Sequence, residues 1–315
     1  MAKLFRRFGI LTIITVIVLI FVGGIVRATG SGMGCPDWPK CFGMWVPPTH
    51  VDQLPQNYQQ VFGAKLKGEV VFNAVKTWIE YVNRLLGVLT GFFIFLTFIF
   101  SFIAYRFSQP KIVILSFVSF LLVAFEGWLG SKVVSSELHP VLITVHMLVS
   151  LLLLGILIMV ILKSYQIQFN RKKPEKLSAI SFLLIISLIL SIGQIIFGTQ
   201  IREGIDLIQK ALGYELRNEW IQSVKGKVVF HAILAFVLLG LQLFIAKNIR
   251  KKDATDFVNK WIRFITFSIL VSICSGGVLS LLGFPAFVQP IHLGFSVIIV
   301  SLQFVVYFLL EPDLI

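Results

Sequence analysis

The sequence predicts an all-α polytopic membrane protein whose eight transmembrane helices form two pseudo-symmetric four-helix bundles. Composition is the first observation behind this fold class, because 57% of the 315 residues are hydrophobic and only 14% are charged. A soluble globular domain does not need so large an apolar fraction. The other two observations are the number of long apolar segments and a similarity between the halves of the chain. The net charge of +13 is therefore interpreted from the positions of the basic residues, and no nucleic-acid partner is expected.

Eight apolar segments are near or above the length of about 20 residues that a helix needs to cross a bilayer. The first segment follows a basic start and is too long for the apolar part of a signal peptide, so it is interpreted as a transmembrane helix. Long polar loops, 28–75 and 203–227, follow the first and fifth segments. The segments are 8–26, 79–105, 112–133, 140–162, 177–199, 228–246, 261–282 and 290–310.

Basic residues gather in alternate connections between these segments. The connections after the second, fourth and sixth segments are rich in lysine and arginine, whereas the loop 203–227 mixes acidic and basic residues. Cytoplasmic connections carry the excess of lysine and arginine in membrane proteins. Both termini are therefore predicted to be cytoplasmic, the two long loops to lie outside, and lipid to surround the bundles.

The lysine-rich connection 168–176 divides the chain into residues 1–167 and 177–315, with four predicted helices in each part. An even number of helices means that both halves start on the same side, so an axis along the membrane normal would relate them. The first helix of each half ends with a glycine four residues before an arginine, Arg27 or Arg202. This short similarity supports the predicted repeat.

A polar stretch opens the second predicted helix. Glu80, Asn83, Arg84 and Gly87 are three or four residues apart, so they share one helix face. Ionisable residues in membrane helices are costly and usually face a protein interior or a wet cavity. The stretch is therefore either an interfacial cap, in which Glu80 pairs with Lys76 or Arg84, or part of an active site.

Three histidines lie near the outer ends of the even-numbered helices of the predicted repeat. Neutral imidazole is a standard axial ligand of haem iron, and histidines on two facing helices would hold one haem between them. His231 and His292 form such a pair in the second half. The first half supplies His146 and, in the place of the other histidine, Asn83. The pattern predicts two haem sites with different ligands, whereas zinc fits less well because the ligands lie on separate helices.

The remaining candidate residues are two cysteines in the first loop, one cysteine in a span and two further histidines. Cys35 and Cys41 would form a disulfide if their loop faces an oxidising compartment. Cys274 lies in an apolar segment and is expected to be a packing residue. His50 is expected to be solvated in the outer loop, and His139 to lie at the membrane interface.

The chain resembles the heme A synthase family over nearly its whole length. The resemblance is carried by the loop segment 27–41, which contains both loop cysteines, by the segment 80–84, and by the positions of His146, His231 and His292. It implies a bacterial inner-membrane oxidoreductase that converts heme O to heme A for terminal oxidases and so serves cytochrome oxidase assembly. It further implies tandem four-helix bundles, with the substrate heme O in residues 1–167 and a heme b cofactor in residues 177–315.

The resemblance also implies a role for each matching residue of the second half and the loop. His231 and His292 match the axial ligands of heme b. Cys35 and Cys41 match a cysteine pair that passes reducing equivalents outward. Arg202, near the outer mouth of its bundle, either pairs with a heme propionate or extends to the interface, and the same alternatives hold for two arginines of the first half, Arg27 and Arg84.

In the first half, the family glutamate needed for catalysis matches Glu80, and His146 matches an iron ligand. One position departs from the family pattern Glu-x-x-His-Arg, since Asn83 stands where a histidine is usual and an amide is a poor iron ligand. Either His146 alone holds the substrate iron and leaves an open position, or His139 or His50 supplies the second ligand.

The resemblance implies two successive oxidations of one heme O ring methyl, first to an alcohol and then to a geminal diol that loses water to give the formyl group. Glu80 is expected to stabilise positive charge at that methyl or to activate water. Heme O synthase is expected to deliver the substrate. The electron acceptor and the formation of a homo-oligomer stay open.

Three other functions remain as alternatives. A di-haem b-type protein that only transfers electrons, for example to quinone, would not need Glu80 beside an incomplete ligand set. A repeat transporter would place its polar residues at mid-depth rather than near the outer ends. A structural or assembly subunit would leave the paired histidines unexplained.

Overall fold

The computed structural model describes residues 1–63, 72–169, 178–213, 216–250 and 256–311. Ten α-helices lie in these ranges, and all but two short ones are long and apolar enough to cross a membrane. These eight helices confirm all eight predicted segments. The ten are α1 (Ala2–Ala28), α2 (Tyr58–Gly63), α3 (Ala74–Tyr105), α4 (Pro110–Ser135), α5 (Pro140–Phe169), α6 (Ser178–Leu212), α7 (Arg217–Ser223), α8 (Lys225–Arg250), α9 (Asp256–Leu281) and α10 (Val288–Leu310).

Local chemistry explains several helix starts and the polar residues within the spans. The Asn73 side chain accepts a hydrogen bond from the backbone N–H of Lys76 at 3.1 Å, which satisfies one free amide at the start of α3. Pro110 and Pro140 begin α4 and α5, because a fixed φ and a missing N–H suit the first helical turn. Hydroxyls inside the spans donate to the carbonyl four residues earlier, as Thr90 does, so they are satisfied in apolar surroundings.

The prediction of a loop over 203–227 is wrong for most of the described part of that range. Helix α6 continues well past its predicted end and stops before Gly213, whose φ of +71° is the left-handed conformation common after a helix. Helix α7 then follows. Both helices are stabilised because Ile205 packs with Trp220 and Val224 in a small buried cluster.

The eight spanning helices form two closed rings of four. In the first ring α1 contacts α3, α3 contacts α4, α4 contacts α5, and α5 returns to α1. In the second ring α6 contacts α8, α8 contacts α9, α9 contacts α10, and α10 returns to α6. Each ring is a four-helix bundle built from one half of the sequence.

The two bundles meet through α1 with α10, α5 with α10, and α5 with α6. Leu154 and Val297 belong to one buried cluster there. Helix α5 can approach α10 closely because Gly155 has no side chain; a Cβ at this position would lie only 2.9 Å from the Phe304 ring. If α1 is exchanged with α6 and α5 with α10, the same three helix pairs result. The packing is compatible with the predicted pseudo-symmetry, which stays a prediction. Of the predicted linker 168–176, only the first two residues lie within the described part of the chain.

Candidate functional site

Glu80 lies at the start of α3 and is buried, with only 3% of its surface exposed. Its Oε1 accepts a hydrogen bond from Arg84 Nε at 3.1 Å and forms an ion pair with the same guanidinium. Its Oε2 accepts the backbone N–H of Cys35 at 2.9 Å. A buried carboxylate without such partners would be strongly destabilising. Of the two pairings open from the sequence, the structure has the one with Arg84.

Arg84 joins this carboxylate to the first loop. Its Nη1 donates to the carbonyl oxygens of Asp37 at 2.7 Å and Lys40 at 3.0 Å, and its Nη2 donates to that of Cys35 at 3.1 Å. The planar guanidinium can satisfy several acceptors at once because its donors are fixed in a fork. The Glu80–Arg84 pair therefore anchors the loop on the end of α3.

The loop itself is closed by the predicted disulfide between Cys35 and Cys41, which the structure confirms. Both cysteines are fully buried. The Asp37 carboxylate accepts the backbone N–H groups of Phe42 at 2.6 Å and Gly43 at 2.9 Å, so it stabilises the turn that follows the disulfide. The disulfide and the Glu80 carboxylate thus belong to one connected structure.

Replacing Cys35 with serine is expected to loosen this loop. Opening a disulfide between residues six positions apart removes about 2 kcal/mol of local stability. Faster hydrogen exchange at Phe42 and Gly43, measured by mass spectrometry on the protein in detergent, would report that change. Cys41→Ser should give the same result, and unchanged exchange in both variants would contradict the prediction.

His146 of α5 is in contact with a carboxylate that the sequence analysis missed. Its Nδ1 lies 2.8 Å from Oε2 of Glu126 in α4, and Glu126 is buried. The Ser150 hydroxyl lies 2.7 Å from the same Oε2 and 2.9 Å from the His146 carbonyl oxygen, and its one hydrogen can be donated to either acceptor. An ionisable residue inside an apolar segment is itself an indication of a functional site. This criterion, applied to the segment 112–133, could have identified Glu126 from the sequence.

The other predicted residues of the first half are less connected. The Oδ1 of Asn83 is buried and has no hydrogen-bond partner within the described residues. His50 and His139 are exposed, so the geometry favours the alternative in which His146 alone serves as a ligand in this bundle. Cys274 is exposed on α9, so the prediction that it is a packing residue is wrong.

In the second bundle, His231 of α8 and His292 of α10 face each other with ring centroids 6.2 Å apart. The Nδ1 of His292 lies 2.9 Å from the carbonyl oxygen of Ser272 and 3.0 Å from the hydroxyl of Ser275. The carbonyl can only accept, so the proton is assigned to Nδ1 and the lone pair to Nε2. The Nδ1 of His231 is buried and has no hydrogen-bond partner among the described residues.

The three predicted arginines all have partners within the protein. Arg27 of α1 and Arg202 of α6 contact the two oxygens of Asp206 at 3.2 and 2.7 Å. Arg202 also donates to Gln289 at 2.7 Å. Asp206 therefore links the two bundles electrostatically. It was missed because the sequence analysis assigned it to a loop, whereas it lies in the extended end of α6.

These contacts distinguish two candidate sites with different side-chain chemistry. The second bundle presents two opposed imidazoles, which can bind a metal from both sides. The first bundle presents the His146 imidazole beside the Glu126 carboxylate. Separately, on α3, it presents the Asn83 amide oxygen, which has no hydrogen-bond partner within the described residues. Glu80, a carboxylate held between an arginine and a backbone amide, can accept a proton or stabilise a positive charge.

Comparison with known proteins gives a consistent result along the chain. A family model described as cytochrome oxidase assembly protein, COX15-CtaA, matches residues 6–304. A protein of Wolbachia sp. subsp. Brugia malayi named "Heme A synthase" is 27% identical, with 91% of this chain and 90% of that protein covered. One of the same name from Exiguobacterium sibiricum is 25% identical, with 88% and 86% covered. A third, from Shewanella oneidensis, is 26% identical, and the match covers 60% of this chain and 54% of that protein.

Proposed function

Because the chain belongs to the COX15-CtaA family of cytochrome oxidase assembly proteins, we propose that it is a heme A synthase, a membrane oxidoreductase that converts heme O to heme A. The observation that carries this proposal is the difference between the two bundles. One has an opposed pair of histidines, His231 and His292. The other has a single suitable histidine, His146, in the same bundle as a buried carboxylate, Glu80.

The residues of the second bundle fit a resident heme b. Two imidazole nitrogens that each bind a metal at about 2 Å set their ring centroids about 6 Å apart, and the observed separation is 6.2 Å. The contacts of His292 Nδ1 with Ser272 and Ser275 leave its Nε2 to bind iron. His231 and His292 would hold heme b, which would supply a one-electron carrier when bound.

The first bundle would bind heme O as its substrate. His146 would bind the substrate iron through Nε2, since Nδ1 contacts Glu126. Asn83 offers no imidazole, so one side of the iron stays open. The buried Asn83 Oδ1 can accept a hydrogen bond from water held on that side. A protein that only transfers electrons has no need of such an under-ligated site, which is why the di-haem alternative is less favoured.

Glu80 would act on the substrate methyl group. In each oxidation the methyl carbon gains the oxygen of one water and loses two electrons and two protons, and the diol then loses water to leave the formyl group. Glu80 would accept a proton from the incoming water or stabilise positive charge at that carbon. Arg84 and the Cys35 amide hold the carboxylate in place for this role.

The arginines would divide into two roles. Arg84 donates to three loop carbonyls and to Glu80, so it would position the carboxylate rather than bind the heme O propionates directly. Arg27 and Arg202 sit together at the junction of the bundles, where their positive charge favours heme propionates.

The cellular setting is part of the proposal. The arrangement of basic residues supports both termini in the cytoplasm of a bacterium and the disulfide loop outside the inner membrane. Residues 168–176 would connect the heme O bundle to the heme b bundle. Heme O synthase would deliver the substrate, and an acceptor outside this chain would take the electrons.

Expression of the full chain in a bacterium that makes heme O but no heme A tests the function. Heme A in the extracted pigments, together with protohaem in the purified protein, is the expected result. Two low-spin haems without any heme A would favour the di-haem electron-transfer protein. A colourless protein would contradict the proposal and favour a transporter or an assembly subunit.

A further inference from the structure

Glu126 has a counterpart at the same place in the second bundle, and the counterpart is a serine. In the first bundle, Gly130 follows Glu126 by four residues, and Ser150 follows His146 by the same distance. The His146 ring packs against α4 at Gly130, where a Cβ would lie 3.7 Å from its Cε1. The Ser150 hydroxyl is 2.9 Å from the His146 carbonyl oxygen.

The second bundle repeats this arrangement on α9 and α10. Ser272 is followed by Gly276, and His292 by Ser296, at the same spacings. A Cβ on Gly276 would lie 3.2 Å from Cε1 of His292, and the Ser296 hydroxyl donates to the His292 carbonyl at 2.9 Å. The hydroxyls of Ser272 and Ser296 are 3.4 Å apart, in the position of the contact between Glu126 and Ser150.

The two histidines therefore sit in similar surroundings that differ at Nδ1, where His292 also has the Ser275 hydroxyl at 3.0 Å. The Nδ1 of His292 faces a neutral carbonyl oxygen at 2.9 Å, whereas the Nδ1 of His146 faces the Glu126 carboxylate at 2.8 Å. The Nδ1 of His146 is buried and close to the carboxylate but has no hydrogen bond of good geometry within the described residues. Such contacts commonly tighten when the substrate binds.

The burial of Glu126 is costly unless the carboxylate has a function or strong partners. Its Oε2 has the His146 ring and the Ser150 hydroxyl, while its Oε1 is buried with no hydrogen-bond partner within the described residues. Among the described ion pairs, no lysine or arginine contacts it. Of the two neighbours of Oε2, only the Ser150 hydroxyl has hydrogen-bond geometry in this structure, and a proton on the nearby His146 Nδ1 would supply further compensation.

We propose that Glu126 is a positioning residue for the substrate heme, acting through His146. It fixes the proton on Nδ1 and directs Nε2 to the iron. A carboxylate on the distant nitrogen also makes the imidazole a stronger donor to a bound metal than a carbonyl does. The iron of the first bundle is therefore more easily kept ferric than it would be with a neutral group at the Nδ1 of His146. This inference relies on the proposed role of His146 as the substrate ligand.

The test compares Glu126→Ser, which gives the first bundle the residue of the second, with Glu126→Gln and with the reciprocal Ser272→Glu. The probe is the full-length protein purified with heme O in the first bundle and protohaem in the second. Spectroelectrochemistry gives the two midpoint potentials, and resonance Raman spectra give the iron–histidine stretch of the ferrous first site. The second-site spectrum reports in each Glu126 variant whether the protein is folded.

Glu126→Ser is expected to raise the first-site potential, lower the iron–histidine frequency and weaken heme O retention about 10–100-fold. A tenfold loss of preference for ferric iron corresponds to a rise of about 59 mV. Glu126→Gln should keep the ring orientation but lose the charge, so its potential should rise as well. Ser272→Glu should lower the second-site potential.

An unchanged first-site potential and stretch in both Glu126 variants, with heme O still bound, would overturn the inference and leave the proposed function intact. A second-site potential that does not fall in Ser272→Glu would count against it as well. Retention of the wild-type first-site spectrum in His146→Ala would instead refute the ligand assignment on which the inference relies.

Discussion

Replacing either His231 or His292 with alanine is expected to abolish the six-coordinate low-spin protohaem spectrum of the purified protein. The two rings face each other across the second bundle with centroids 6.2 Å apart, so each variant removes one of the two imidazoles proposed to hold heme b. Alanine cannot bind iron, and the buried site offers no other imidazole on that side among the described residues. Optical spectra of the oxidised and dithionite-reduced protein, with pyridine haemochrome quantification, measure the loss directly.

The matched controls for these variants are His50→Ala and His139→Ala. Both histidines are exposed, so their removal should leave the low-spin spectrum and the haem content unchanged. Loss of the spectrum in a control would show that the signal does not depend on the second bundle alone. Preservation of a six-coordinate low-spin spectrum in both His231→Ala and His292→Ala would refute the assignment of this pair to heme b.

The eight spans could be predicted from the sequence because a bilayer imposes both a length and an apolar composition on each helix. The helix ends could not be predicted in the same way. Polar and charged residues beyond the apolar core are compatible with a helix, and α6 continues into the range 203–227 because Ile205 packs with Trp220 there. Hydropathy values do not include such tertiary contacts, so they cannot predict where α6 ends.

Contacts between candidate side chains could be predicted where the chemistry of the residues is distinctive. Cys35 and Cys41 are close in sequence, and His231 and His292 lie at matching depth on helices of one bundle. Glu126 was missed because a lone carboxylate in an apolar segment produces no periodic pattern and its partner His146 lies on another helix. Only the packing of α4 against α5 brings the two side chains together.

The position of Glu80 raises a question that the sequence could not pose. Its carboxylate is both the candidate catalytic group and an anchor for the disulfide loop, through Arg84 and the backbone N–H of Cys35. A loss of activity on removing Glu80 could therefore come from either role. The two roles can be separated, because glutamine retains the size and one acceptor oxygen of glutamate but loses its charge and basicity.

Glu80→Gln is expected to retain both haems and to lose heme A formation by about 10²–10⁴-fold, the usual contribution of a general base. The assay is heme A in pigments extracted from cells that supply heme O. The control is Thr77→Val, which removes a 2.8 Å hydrogen bond from the Thr77 hydroxyl to the carbonyl oxygen of Gly34 and so loosens the same loop without touching the carboxylate. If Glu80→Gln lowers heme A formation no more than Thr77→Val does, then Glu80 anchors the loop and does not take part in the oxidation.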